Sequence, residues 1–151
     1  MFILHRLEYR LLDEAKGYPC LYYYDNISRE EISVRFACDY FIKDGVVYEK
    51  TSCSIEPLLV YVIYIKESVD ESAISYGNIH QGNILVEIRE FKEYAKEYPL
   101  LTSFQFNDYA DLILQLQADY MMVNGREYEK SSAEIDEDSK RFLIYVTPSE
   151  G

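Results

Sequence analysis

Sliding residues 1–71 along the chain by 80 positions brings 13 of the 71 aligned pairs into identity. A random pairing of this composition gives roughly five, and scattered ones. The matches instead fall in two blocks. Ala15, Lys16, Tyr18, Pro19 and Leu21 lie over Ala95, Lys96, Tyr98, Pro99 and Leu101. Asp39, Tyr40, Gly45, Tyr48, Glu49, Lys50, Ser52 and Ile55 lie over Asp119, Tyr120, Gly125, Tyr128, Glu129, Lys130, Ser132 and Ile135. One more residue of offset joins Tyr61–Ile65 to Phe142–Val146. The expectation is an α+β chain made by tandem, pseudo-twofold duplication of one unit. It is one domain, 1–151, with repeats 1–66 and 84–151 joined by a linker over 67–83. Each half alone is near the small end of stable domains, so a shared core or sheet is expected.

The unit reads β-β-α-β-β. Ser28-Arg29-Glu30-Glu31 is a capping box, and Ile32, Phe36 and Tyr40 continue it as an apolar stripe. In the second copy Asp108 takes the N-cap, and Leu112, Leu116 and Tyr120 take the stripe. Helices over 28–43 and 108–122 follow, each stopped at Asp44-Gly45 or Asn124-Gly125, pairs that supply positive φ for a helix end or a tight turn. Strands are expected over 46–54 and 58–66, and over 126–135 and 141–147, paired as hairpins in a mostly antiparallel sheet with the helices on one face. The second strand of each pair is almost wholly apolar, which suits a central place in the sheet. Residues 20–24 and 100–106 are rich in β-formers. The opening segments, 2–10 and 84–91, fit either period; strand is chosen.

The net charge is −12, with −5 in residues 1–75 and −7 in residues 76–151. A surface of that sign disfavours nucleic acid and anionic membranes; its first reading is solubility, and the sharper one is a basic partner steered in by the field. The longest apolar run, Leu58–Ile65, is far short of the ~20 residues a spanning helix needs. A cytoplasmic location is the default expectation. Cys20, Cys38 and Cys53 stand over Leu100, Ala118 and Ala133, so these positions want small or apolar side chains. No cofactor, disulfide framework or metal set is expected.

Several constellations carry chemistry on paper. Residues 77–86 resemble the catalytic loop of aminoglycoside-phosphotransferase-type kinases. Asn78 stands where that pattern has its acceptor-positioning Asp, however, and the match is read as chance. His5 and His80 have no poised nucleophile in a recognisable motif. Glu134, Asp136, Glu137 and Asp138 form the densest acidic run, read as a solvated hairpin turn, since Lys140, Arg141 and Phe142 break a calcium loop. The recurring Asp39-Tyr40 and Asp119-Tyr120 pairs oppose the dipole of the helices they are assigned to, and are candidate binding residues together with Tyr22 and Tyr24. Glu49-Lys50 and Glu129-Lys130 read as a salt bridge toward the helix.

The function expected from these features is that of a small non-catalytic binding or regulatory protein, meeting a basic protein partner through its acidic surface. An inhibitor or immunity-like role is one form. The alternative is a small-ligand sensor with a tyrosine-lined pocket between the repeats, and a third reading is an acid–base enzyme using Asp39 and Asp119. Self-association is left open.

Overall fold

The computed structural model describes residues 5–69, 73–74 and 84–149. Residues 77–83 of the resemblance, His80 among them, and most of the 67–83 linker thus lie outside the described residues. Among those described, the first half runs β1 (Arg6–Leu11), β2 (Cys20–Asp25), α1 (Arg29–Ala37), β3 (Tyr40–Lys43), β4 (Val46–Glu56) and β5 (Val60–Glu67). The second half runs β6 (Ile84–Glu90), β7 (Leu100–Phe106), α2 (Ala110–Gln117), β8 (Tyr120–Val123), β9 (Arg126–Asp136) and β10 (Arg141–Pro148). The fold is therefore mixed α+β, ten strands in one mostly antiparallel sheet with two helices. No described helix is long and apolar enough to cross a membrane.

Each helix is shorter than its sequence stripe suggests, and a strand follows it directly. The chain leaves α1 at Cys38 and α2 at Ala118, both with extended backbone. The expected unit β-β-α-β-β is thus corrected to β-β-α-β-β-β. The reason lies in Asp44-Gly45 and Asn124-Gly125, whose two residues all have positive φ. Lys43 pairs with Val46 and Val123 with Arg126, so each pair is the two-residue loop of a hairpin, not a helix stop. Once Asp-Gly is a hairpin turn, the residues before it must be strand. Asp39 and Asp119 accordingly sit at strand entrances, where the helix dipole does not penalise them.

The helix ends confirm part of the sequence reading. Ser28 Oγ accepts from Glu31 N–H at 3.1 Å, as a capping serine should. At α2 the N-cap moves one residue, to Tyr109, while Asp108 Oδ1 accepts from Ala110 N–H at 2.9 Å. At the C-termini Lys50 Nζ donates to Phe36 C=O at 2.5 Å, and Lys130 Nζ donates to Leu116 C=O. These lysines do meet the helices, but they satisfy last-turn carbonyls and the negative dipole end instead of forming a salt bridge. Replacing Lys130 with Met should cost about 1–2 kcal/mol in urea unfolding, with a smaller loss at high salt.

The sheet order is β2-β1-β5-β4-β3-β9-β10-β6-β7, with β8 beside β9. β5 and β10, the near-continuous apolar strands, are central as expected. The opening segments are strands, and each runs parallel to its half's last strand, β1 with β5 and β6 with β10. Matching bulges recur. Leu21 and Leu101 are the extra residues opposite β1 and β6, and Thr51 and Ser131 those opposite β5 and β10. Such bulges bend and twist a strand. Bending carries Tyr22 of β2 over Phe41 and Tyr48 (ring centroids 5.8 and 6.3 Å), two strands that are not its neighbours in the sheet.

One core serves both halves. Leu7, Tyr9, Ile63 and Ile65 share a cluster with Ile32 and Val34 of α1, Leu112 and Leu116 of α2, and Val86, Ile88, Ile135 and Ile144. The halves meet where β3 runs parallel to β9, with Tyr40 opposite Glu134, Phe41 opposite Ile135 and Ile42 opposite Asp136. Asp39 N–H donates to Ala133 C=O at 2.8 Å, and Asp39 Oδ2 accepts from Ala133 N–H at 2.9 Å. The acidic run expected as a solvated turn is mostly buried here, because it builds this joint. Asp138 accepts from Asp44 N–H at 2.7 Å and Gly45 N–H at 2.8 Å, and Glu137 N–H donates to Ile42 C=O at 2.8 Å.

The Glu137 carboxylate completes the joint by accepting from Arg35 of α1, both side chains being buried. Arg35 also donates to Glu31 at 2.9 Å and to Tyr9 Oη at 3.2 Å, and lies over the Tyr24 ring at 4.4 Å. Burial alone would raise the Glu137 pKa, but the charge and hydrogen bond of Arg35, with Lys140, outweigh it and hold the carboxyl below its ordinary 4.5. Arg35→Met leaves the buried carboxylate only the largely exposed Lys140 as a cationic partner, and should cost about 3 kcal/mol, much of it recovered in Arg35→Met/Glu137→Leu. Because the folded pKa is the lower one, the pair's stabilisation is complete above pH 4.5 and is lost as pH falls through the folded value. Urea melts at stepped acid pH should show a shallower fall in Glu137→Gln than in the wild type.

Candidate functional site

Alternation along β3 and β4 sends neighbouring side chains to opposite faces. Phe41 goes to the core and stacks on Tyr9 at 3.9 Å, whereas Tyr40 and Ile42 go to the far face. Ile42 is opposite Val47, Tyr40 is opposite Glu134, and Ser132 is opposite Tyr145. Together with Phe91, Tyr98, Ser131 and Ile74 these residues line a groove of about 260 Å³ that spans the joint. Tyr145 packs edge-on against Tyr98 at 5.1 Å, and Tyr98 lies tilted against Phe91 at 5.2 Å. Tyr145 Oη donates to Glu134 Oε2 at 3.0 Å, holding a buried carboxylate among aromatic rings. The backbone of Tyr98 is itself fixed, its C=O accepting from Arg89 at 2.7 Å.

Of the six candidate residues, only Tyr40 lines this groove. Asp39 is committed to the Ala133 backbone, and its C=O accepts from Lys50 N–H at 2.8 Å. Asp119 repeats the latter bond with Lys130 at 2.8 Å. Tyr120 stands exposed on β8, away from Tyr40. Tyr22 and Tyr24 face the core side of β2. The Tyr22 hydroxyl donates to Asp44 at 3.2 Å, and Tyr24 lies under Arg35 with its pKa pushed up to about 12 by burial and the Glu137 charge, against the opposing pull of Arg35. The two Asp-Tyr pairs are therefore not brought to one cleft. The groove residues Glu134, Tyr98 and Tyr145 were missed. Tyr98 lies in the first matching block, but Glu134 differs from its counterpart Ser54, and only the cross-sheet register joins them.

A second shared signal was hidden by the fixed offset. Register against β5 and β10 places Glu8-Tyr9-Arg10 over Glu87-Ile88-Arg89, an offset of 79. Arg10 donates to Glu8 at 2.8 Å and Arg89 to Glu87 at 2.9 Å. Further arginines close each cluster: Arg6 on Glu8 at 2.8 Å and Arg141 on Glu87 at 2.9 Å. Among the described residues no group of three or more His, Cys, Asp and Glu side chains is arranged to hold a metal.

The three thiols follow their surroundings. Burial pushes Cys38 up to about 12, and burial also raises Cys53 and, less obviously for an exposed residue, Cys20. Thiolate formation is thus suppressed at all three and access differs. Ellman's reagent at neutral pH should label Cys20 first and Cys53 slowly, and should reach Cys38 only on unfolding. Fast labelling of Cys38 in the folded protein would contradict its packing. Comparison with protein families, with curated proteins and with solved structures finds no match for the chain.

Proposed function

We propose that the chain is a tandem duplication of one β-β-α-β-β-β unit, serving as a non-catalytic binding or regulatory protein whose joint groove takes a cationic side chain of a basic protein partner. The common element order, matched bulges, lysine-capped helices and Glu-x-Arg pairs support the duplication. The groove carries the functional reading. Aromatic faces beside a carboxylate suit an ammonium or guanidinium, a contact worth about 0.5–2 kcal/mol depending on desolvation. Its volume of about 260 Å³ falls below the roughly 300–1,000 Å³ usual for drug-sized ligands. One inserted side chain fits that space better than a metabolite does, so the sensor reading ranks second. The net charge of −12 supplies the long-range attraction for such a partner. An inhibitor or immunity-like role is compatible with this mode. The acid–base reading has less behind it, since Asp39 spends its carboxylate on the backbone.

Titrating the protein with lysine- and arginine-containing peptides, against acidic peptides of equal length, tests the proposal by NMR shifts. The expected result is salt-sensitive binding of the basic peptides alone, with shifts centred on Tyr40, Tyr98 and Tyr145. Glu134→Gln should weaken it about tenfold, or roughly 1.4 kcal/mol. Equal response to both peptide classes, or binding untouched by Glu134→Gln, would remove the reading. A neutral metabolite giving the same groove shifts would favour the sensor.

A further inference from the structure

The joint between the halves is used once, yet the chain carries its two surfaces twice. β9 receives β8 along residues 126–129 and β3 along residues 134–136. The corresponding strand β4 receives β3 along residues 46–49, but among the described residues nothing pairs with the same edge at Ser54–Glu56. Among the described residues β8 likewise pairs only with β9, and nothing pairs with its outer edge. Side-chain exposure shows the same asymmetry. Ile135 is 4% exposed while its counterpart Ile55 is 67% exposed. Ile42 is 3% exposed against 67% for Met122, and Val34 is 0% against 66% for Leu114. At each of these positions one half's apolar residue is buried and its equivalent in the other half lies bare.

We propose that a second copy of this chain covers them, laying its Ser54–Glu56 edge beside β8 in the register of the internal joint. Tyr120 then faces Ser54, Met121 faces Ile55 and Met122 faces Glu56, as Tyr40, Phe41 and Ile42 face Glu134, Ile135 and Asp136 within the chain. Asp119 stands ready to take the Cys53 N–H, as Asp39 takes that of Ala133. This gives the recurring Asp a role in both copies. The edges supply backbone donors and acceptors, and Ile55, Leu114 and Met122 supply the apolar contact. The contact is weaker than the internal one, because Pro57 and Leu58 follow β4 where Glu137 and Asp138 follow β9. Pro57 has no N–H to match that of Glu137, and Gln115 replaces Arg35. The two surfaces differ, so the association is head-to-tail, closing a ring or extending as a chain of copies.

Light scattering after size exclusion, across about 10 µM to 1 mM protein, should show mass rising with concentration. The rise should be steeper at high salt, which screens the repulsion of two acidic chains. Ile55→Asp and Met122→Asp change exposed side chains and should keep the wild-type circular dichroism and melting temperature. Each alone should remain at the single-chain mass. Mixed together, one contributes an intact β8 and the other an intact β4, so they should form a one-to-one complex and stop there. A wild type that stays single-chain throughout, a variant that associates as the wild type does, or a mixture that fails to pair would each overturn the proposal.

Discussion

The buried ion pair between Arg35 and Glu137 stands where everything else in this molecule is held in register. Neither charge is tolerable alone out of water, since an unpaired buried ion costs several kcal/mol. Each is therefore compensated chiefly by the other, from the opposite half, with Glu31 and Lys140 as second partners. Around them the joint is oversupplied with directional bonds: the β3–β9 ladder, the Asp39 bond to Ala133, and the Asp138 carboxylate on both N–H groups of the Asp44-Gly45 turn. Tyr9, which takes a proton donor from Arg35 and stacks on Phe41, links the pair to the apolar core. Breaking the pair thus loosens helix, sheet and turn together.

That joint also creates the groove. β3 is only four residues long, and alternation divides it between two tasks. Phe41 completes the core while Tyr40 and Ile42 build one wall of the far side, opposite residues supplied by β9 and β10. The first half carries a similar ring pair, Tyr18 against Tyr64 at 5.8 Å, corresponding to Tyr98 against Tyr145. Among the described residues it has no comparable wall beside it, because β8, which follows α2 as β3 follows α1, does not pair with β4. Two halves with the same order of elements thus present different surfaces through one asymmetric contact. The same order of elements leads to buried residues on one side and bare apolar ones on the other.

The acidic residues show how little the sign of a charge says about its use. Net charge acts at long range, and it is the long-range part of the proposal of a basic partner. At short range Glu8, Glu87 and Glu137 are each matched to arginine, and Asp138 to backbone N–H groups, so much of the negative charge is structural. Glu134 differs in its setting: a carboxylate held by a phenol among aromatic rings at a groove.

Much of the architecture could be read from the chain alone. Local periods marked both helices and most strands, because an amphipathic stripe or an apolar run reflects burial that any packing must satisfy. The 80-residue offset pointed to matching positions and the capping serine identified its own role, whereas the glycine pairs and the lysines were legible only as local signals whose use the packing decided. Even the short strands β3 and β8 had a signal, since Asp-Gly and Asn-Gly between β-formers is a hairpin pattern. It lost to a helical stripe that ran through Tyr40 and Tyr120. What tertiary structure alone decided was which edge meets which. Ile55 and Ile135 are the same residue in the same local setting, yet one is bare and the other buried. Sequence periodicity determines which face of a strand is apolar. It carries no information on whether a distant strand is pressed against that strand's edge, and here that contact placed Glu134, Tyr98 and Tyr145 around a groove and turned an acidic turn into a buried joint.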